Sequence, residues 1–426
     1  MNAAQAVLHA RELPVAPAAR RPWGLRETLL VALAIAYPFH YDTGTAGTVI
    51  DASLGDIVVA IVFLGFFVSC LWDRIAFPRY LPPTVGLMLA GLASLLVPLA
   101  APEKAPAYFT PLAGVLEIVR VGGSAAWMLA VYVLLRRAPS AGLRVFAPVS
   151  ILAASLFSII TIRESLMAWG VRPGGPFPNE NLYADYLAFN VFLSVMLARL
   201  DERDGNPPGL RVPLWLTTPL LLVGILATGS RGAILGAALA FPVLLRWRRP
   251  ASGSWRRLIP ALVALGLTGG GAVAYWHANP FIAGRVATIV SGQGPNIEDR
   301  EYLRAMAIEA FSTSPVLGIG DGQFPGYAET VHGWRRQPVH DTYLSIAAEL
   351  GVVGLAAFAW LFGLAIRDAV VLGRGPAAAV AKPALAIILA VLGQSLVSNG
   401  EHYRSLWIAL GMLAAVYEAA GRGEGE

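Results

Sequence analysis

Arg231 stands in Thr228-Gly-Ser-Arg-Gly232, a turn too short to be a domain that joins two apolar runs. A guanidinium there can pair bidentately with phosphate oxygens, and a helix beginning at Gly232 would aim backbone N–H groups at the same place. The same letters serve an interfacial arginine that reaches out to lipid headgroups. Arg300 and Arg304 lie one helical turn apart, so they share a face, either a second cationic contact or a solvated helix side. Arg285, Arg335 and Arg336 read as loop charges.

His340 comes just before an apolar run, in Val339-His-Asp-Thr-Tyr-Leu344. A histidine titrating near neutrality, held by a rigid helix start, can take a proton from a hydroxyl nucleophile. Alternatively Asp341 or Thr342 caps the helix, with His340 merely beside it. Pro176-Phe-Pro-Asn179-Glu-Asn181 places two amides two residues apart, suited to a sugar or phosphate and equally to a Pro-Asn turn. Glu117 and Arg120 are spaced i,i+3 inside an apolar run; charges so placed are functional suspects, though mutual pairing explains this couple as well. His340-Asp341 and Glu401-His402 are adjacent pairs without metal-ligand spacing, and neither a phosphate-binding loop nor a dinucleotide fingerprint occurs, so no cofactor is expected.

The elements that must position these groups follow from composition. Of 426 residues, 56% are hydrophobic and 14% charged, with a mean hydropathy of +0.61. Soluble domains carry about 25% charged residues, so a water-soluble fold is disfavoured. The net charge of +5 rests almost wholly on arginines that punctuate apolar runs and do not cluster on one soluble face, which argues against nucleic acid as a partner. The lone Cys70 excludes an intramolecular disulfide and reads as a small buried filler. The first apolar stretch, residues 29–38, has no small-x-small cleavage site after it and reads as a first span, not a signal peptide.

A bilayer core needs roughly 20 apolar residues per helix. Measured against that length, the chain is an all-α polytopic bundle of about twelve transmembrane helices, centred near Ala34, Val62, Ala90, Ala126, Ala154, Phe192, Leu221, Leu239, Leu265, Ala356, Ile388 and Leu410. With both termini cytoplasmic, 21 of the 32 basic residues fall on the cytoplasmic side and ten opposite, the expected bias. The organisation predicted is nine helices over 1–276, an external (periplasmic) connection over 277–340, and three helices with a cytoplasmic tail over 341–426. Within the connection, 300–312 carries Leu303, Met306, Ala307, Ala310 and Phe311 at helical spacing, an amphipathic helix over the bundle. Pro315 ends it, and Gly318-Ile-Gly320-Asp-Gly322 is a tight turn. A secondary transporter would also be a twelve-helix protein, but it should show related halves, and these halves look unalike.

Thr228-Gly-Ser-Arg-Gly232, then Arg300 and Ser314-Pro-Val-Leu-Gly-Ile-Gly320, then His340-Asp-Thr-Tyr-Leu with Glu349-Leu-Gly351, resemble in their order the O-antigen ligase and polymerase family over residues 174–355. The resemblance implies a membrane glycosyltransferase of GT-C-like architecture in the bacterial inner membrane, acting at the periplasmic face without nucleotide sugar or metal. It implies a glycan donor on undecaprenyl diphosphate and, as acceptor, a sugar hydroxyl of lipid A-core (ligation) or of another lipid-linked glycan (polymerisation). It assigns Arg231 and Arg300 to the donor diphosphate and His340 to the acceptor hydroxyl. Asp341 stands where the family commonly has asparagine, and Arg304 where it has an aromatic; the latter is expected to add a third diphosphate contact. Asn179, Asn181, Asp341 and Tyr343 complete the residues expected to meet substrate.

Overall fold

The computed structural model describes residues 24–38, 40–41, 52–73, 77–100, 105–167, 172–205, 211–245, 266, 269–291 and 295–422. The ninth span near Leu265, the side chain of Cys70 and the basic runs at 11–21 and 246–257 lie outside the described residues.

Apart from a two-residue antiparallel pairing of β1 (His40–Tyr41) with β2 (Ala52–Ser53), the described chain is helical. The helices are α1 (Leu25–Ala36), α2 (Leu54–Asp73), α3 (Leu81–Ala100), α4 (Pro111–Leu135), α5 (Pro139–Met167), α6 (Glu180–Arg203), α7 (Arg211–Thr228) and α8 (Arg231–Leu245). There follow α9 (Pro280–Ser291), α10 (Pro295–Thr313), α11 (Phe324–His332), α12 (Thr342–Leu372), α13 (Ala378–Gln394), a 3₁₀ turn (Gly400–His402) and α14 (Arg404–Arg422). Among the described residues four helices, α4, α5, α6 and α12, are long and apolar enough to cross a membrane, and five shorter helical stretches are also apolar.

The second half of α5 is sorted in a sense opposite to that of a soluble bundle. On α5 the outward positions Leu152, Leu156, Ile159 and Ile160 are exposed, Leu152 at 62%, while Ser150, Ser155, Ser158, Thr161 and Ser165 are buried. In water the leucine stripe would turn inward. Against lipid tails apolar burial gives no preference, and small or hydroxyl side chains that pack closely and hydrogen-bond take the interior. Ser150 accordingly donates to Asn190 of α6 at 2.8 Å, and Thr161 to the hydroxyl of Tyr183 at 2.9 Å. α3 repeats the pattern with Leu89, Leu92, Leu96 and Leu99 turned outward.

The connection between α8 and α12 builds a small core of its own. Leu303, Met306, Ala307 and Ala310 bury the apolar side of α10 against Ile319, Phe324, Tyr327 and Val339, and Ala348 of α12 joins them. These are four of the five positions the sequence periodicity predicts; Phe311, the fifth, is only half-buried and stays outside this core.

α12 is broken at Gly351, where φ is 62° and ψ −158°. The amides freed by the break are met by the 314–320 segment: Val352 N donates to the Pro315 carbonyl at 2.9 Å and Val353 N to that of Val316 at 3.3 Å. In return Ile319 N donates to the Ala348 carbonyl at 2.8 Å and Gly320 N to that of Glu349 at 3.1 Å. A β-carbon on Gly351 would stand 2.3 Å from the Val316 oxygen, and one on Gly318 2.2 Å from the Glu349 carbonyl carbon. Gly318, Gly320, Gly322 and Gly351 all have positive φ, a conformation open to glycine at little cost. Glu349, from the same motif, accepts from Phe324 N at 2.8 Å, capping the start of α11. The Ser-Pro-Val-Leu-Gly-Ile-Gly and Glu-Leu-Gly motifs therefore form one docked unit that fixes the connection on α12.

Candidate functional site

Arg231 is the first residue of α8, and its turn is locked from three sides. Ser230 caps the helix, its Oγ accepting from Ala233 N at 3.5 Å and donating to Asn181 Oδ1 at 2.8 Å. Arg172 donates through Nε to the Thr228 carbonyl at 2.9 Å and through Nη2 to Asn181 Oδ1 at 3.2 Å. Gly229 takes φ 61°, turning the chain between α7 and α8. α8 then packs on α13 through small residues. A β-carbon on Gly236 would lie 2.2 Å from the Ala390 oxygen, and one on Gly232 2.8 Å from Val397 Cγ2. This small-xxx-small spacing lets the two backbones approach and brings the Arg231 end of α8 against the segment after α13.

A cleft open to solvent results, lined by Arg172, Asn181, Gly229, Arg231, Gly232, Arg285, Arg300, Gln394, Val397 and Ser398. Four arginines from four separate stretches of chain face one space. Among the described residues, Arg172 has Glu180 at 3.5 Å, whereas Arg300 makes no hydrogen bond or ion pair. Burial, and then the positive charges of Arg231, Arg304, Arg172 and Arg285, push Arg300 down to about 10. Burial also lowers Arg172, with Arg285 and Arg231 adding to the effect against Glu180. Like charges held together in a half-dry site raise the energy of the empty cleft, and an anion relieves it. Planar guanidinium forks select an anion with several oxygens, such as phosphate or diphosphate.

His340 sits at the edge of this array, close enough to Arg300 to feel its charge. Burial and then Arg300 hold its pKa below the ordinary value, which keeps the imidazole neutral and able to accept a proton at pH 7. Its φ of 57° makes it the one non-glycine with positive φ among the described residues. Asp341 caps α12, its Oδ1 accepting from Tyr343 N at 3.1 Å and Leu344 N at 3.2 Å, and its Oδ2 pairs with Arg304 Nη2 at 3.1 Å.

Residues 216–359 match the O-antigen ligase family model. The motif-level resemblance holds over that stretch, and among curated proteins nothing matches. Three of the four cleft arginines, together with His340 and the docked glycine unit, fall within the O-antigen ligase match; Arg172, Asn181 and the 394–398 segment lie outside it. The apolar helices, four of them long enough to cross a membrane among the described residues, accord with this match and with an integral membrane protein.

Of the residues singled out in the sequence, Arg231, Arg300 and Asn181 line the cleft together, with His340 beside Arg300. Asn179 stands at the N-cap of α6, accepting from Asn181 N at 2.7 Å. Arg304 does not line the cleft; its Nη2 bridges Asp341 and the Leu396 carbonyl, the latter at 2.5 Å. Tyr343 donates its hydroxyl to the Leu392 carbonyl at 2.7 Å and packs edge-on against Phe358. Glu117 and Arg120 do pair, at 2.7 Å, and His402 joins them at 2.8 Å from Glu117. Arg335 and Arg336 are loop charges paired with Asp299 and Glu329.

Arg285 departs from the loop-charge expectation by lining the cleft, and Arg172, Gln394 and Ser398 were not singled out at all. The Gly232-xxx-Gly236 spacing was the available signal for the 394–398 wall. Nothing local marks Arg172, whose role comes only from its reach across to Thr228.

Proposed function

We propose that this protein transfers a glycan from undecaprenyl diphosphate to a sugar hydroxyl at the periplasmic face of a bacterial inner membrane, with ligation of O-antigen to lipid A-core as the reaction. The observation that carries the reading is the convergence of Arg172, Arg231, Arg285 and Arg300 on one cleft inside and beside an O-antigen ligase match. In this reading the donor diphosphate lies in the cleft, its polyprenyl tail runs along the apolar faces between helices, and both chain termini are cytoplasmic. Neutral His340 takes the proton of the acceptor hydroxyl. The acceptor oxygen then bonds to the anomeric carbon as the bond from that carbon to the diphosphate oxygen breaks, with inversion. The electron pair leaves on undecaprenyl diphosphate, whose growing charge the arginines stabilise more strongly than water would. Arginine charge does the work a divalent metal does in other transferases, so the reaction is metal-independent.

Polymerisation of lipid-linked repeats would use the same donor half and differ in the acceptor. Purified protein is incubated with undecaprenyl-diphosphate glycan and either lipid A-core or further donor. Glycosylated lipid A-core is the expected product, and it should form in excess chelator. Growth of the lipid-linked glycan instead would make the enzyme a polymerase; neither product, with intact donor, would overturn the transferase reading.

A further inference from the structure

We propose that Thr342 and Glu401 are positioning residues for His340, fastening the chain just after the histidine to the 395–402 connection that also walls the cationic cleft. The proposal rests on the reading of His340 as the base.

His340 makes no hydrogen bond of its own among the described residues, yet it holds a left-handed backbone that other side chains rarely adopt. Such a conformation persists only where its surroundings impose it. Two straps do so here. Thr342, fully buried at the start of α12, donates its backbone N–H to the Ser395 carbonyl at 2.9 Å and accepts from Gly400 N through Oγ1 at 2.9 Å. The same hydroxyl lies 3.0 Å from the Ser398 carbonyl and against the Glu401 carboxylate. A hydroxyl has one proton to give, and the charged carboxylate is the stronger acceptor. Glu401 is itself held, by Asn399 Nδ2 at 3.2 Å and by His402 at 3.4 Å, and His402 is anchored on Glu117 at 2.8 Å. The second strap is Arg304, which ties Asp341 to the Leu396 carbonyl.

Both straps end on a connection whose other side, at Val397 and Ser398, lines the cleft. The distance from His340 to the arginines is thus set by one short piece of chain, and Thr342 with Glu401 is its main clasp. This gives the Glu401-His402 pair, and through it Glu117, a task that neither metal binding nor direct catalysis supplies.

The test uses full-length protein in nanodiscs with lipid-linked donor. Thr342→Val removes the hydroxyl at constant shape, Thr342→Ser restores it, and Glu401→Gln keeps the size of the acceptor without its charge. Thr342→Val should lower kcat about tenfold or more, as misplacement of a catalytic group does, with donor KM within twofold. Its pH–rate midpoint should move up toward the ordinary histidine value as the imidazole leaves its half-buried place beside Arg300. Thr342→Ser should recover both, and Glu401→Gln should move both in the Thr342→Val direction. If Thr342→Val fails to fold, Glu401→Gln alone decides. A folded variant with wild-type kcat and midpoint, or one whose kcat falls with the midpoint unmoved, overturns the proposal. Full activity in His340→Ala would remove the base reading beneath it; an inactive His340→Ala beside wild-type Thr342→Val and Glu401→Gln would sink the positioning role alone.

Discussion

Ser230 Oγ donates to Asn181 Oδ1 at 2.8 Å, tying the turn that carries Arg231 to the first turn of α6. The same oxygen receives Arg172, so one amide registers two cleft arginines. Asn181→Ala should therefore act on the donor through both. Losing hydrogen bonds worth about 1 kcal/mol each corresponds to a rise in donor KM of roughly 5–30-fold. Steady-state kinetics with varied lipid-linked donor checks it; an unchanged donor KM would show that the turn is held without the amide.

Arg300 is half-buried among like charges without a carboxylate partner among the described residues. Arg300→Ala should abolish donor-dependent stabilisation and cut turnover, while the protein without donor melts no lower than wild type, because a repulsive charge is gone. Arg300→Lys should recover little, since a point charge does not reproduce the bidentate fork. Melting curves with and without donor give the answer, and a lowered melting point in the empty protein would contradict it.

The pH dependence of the rate follows from His340. Its pKa is lowered by burial and by Arg300, so the neutral, active form should dominate from below the ordinary value of about 6.5 upward. The rate should rise with pH through a midpoint under 6.5 and then level off. The matching stability effect has the same sign: the unfolded chain binds the proton first, so stability is lost as pH falls from about 6.5 to the lowered value. His340→Gln should reduce turnover by roughly 10²–10⁴ and remove both dependences. A pH–rate profile and a melting series across pH 5–8 test this, and near-full activity in the variant would reduce His340 to a helix-start residue.

His402 titrates the other way. Burial opposes its charge, but Glu117 and Glu401 outweigh it and raise it to about 9. A raised folded-state value means that the stabilisation is complete below about 6.5 and disappears as pH climbs to about 9. The melting point of wild type should thus fall between pH 7 and pH 9.5 by more than that of His402→Gln. Parallel curves for the two proteins would mean that the ion pairs contribute nothing.

Gly351→Ala should be among the most damaging conservative changes in the chain. The added methyl would meet the Val316 oxygen at 2.3 Å at a positive φ. Strain and displacement together cost about 2–4 kcal/mol. Gly363→Ala, at a helical glycine with nothing within 4 Å of the added carbon, is the control. Yield and melting point in detergent separate them, and equal behaviour would mean that the docked 314–320 segment gives way easily.

What the sequence determined by itself is what local periodicity and local chemistry encode. Apolar runs of bilayer length mark the helices; eleven of the twelve span centres fall on described helices, and the twelfth lies outside them. Leu303, Met306, Ala307 and Ala310, spaced at a helical period, marked the buried side of α10, and the letters after His340 marked a helix start, where Asp341 indeed caps. The order of the motifs pointed to the family that matches residues 216–359. What only the tertiary structure decided is which charges meet. Arg172 and Arg285 join Arg231 and Arg300 because α8 packs on α13 through Gly232 and Gly236 and because α6 and α7 bring Asn181 under Ser230. Arg304 turns to Asp341 and Leu396, away from the cleft lining, through the fold of the connection. Like charges repel, so no local pairing rule links these arginines along the chain. Their convergence is held by backbone contacts between distant helices.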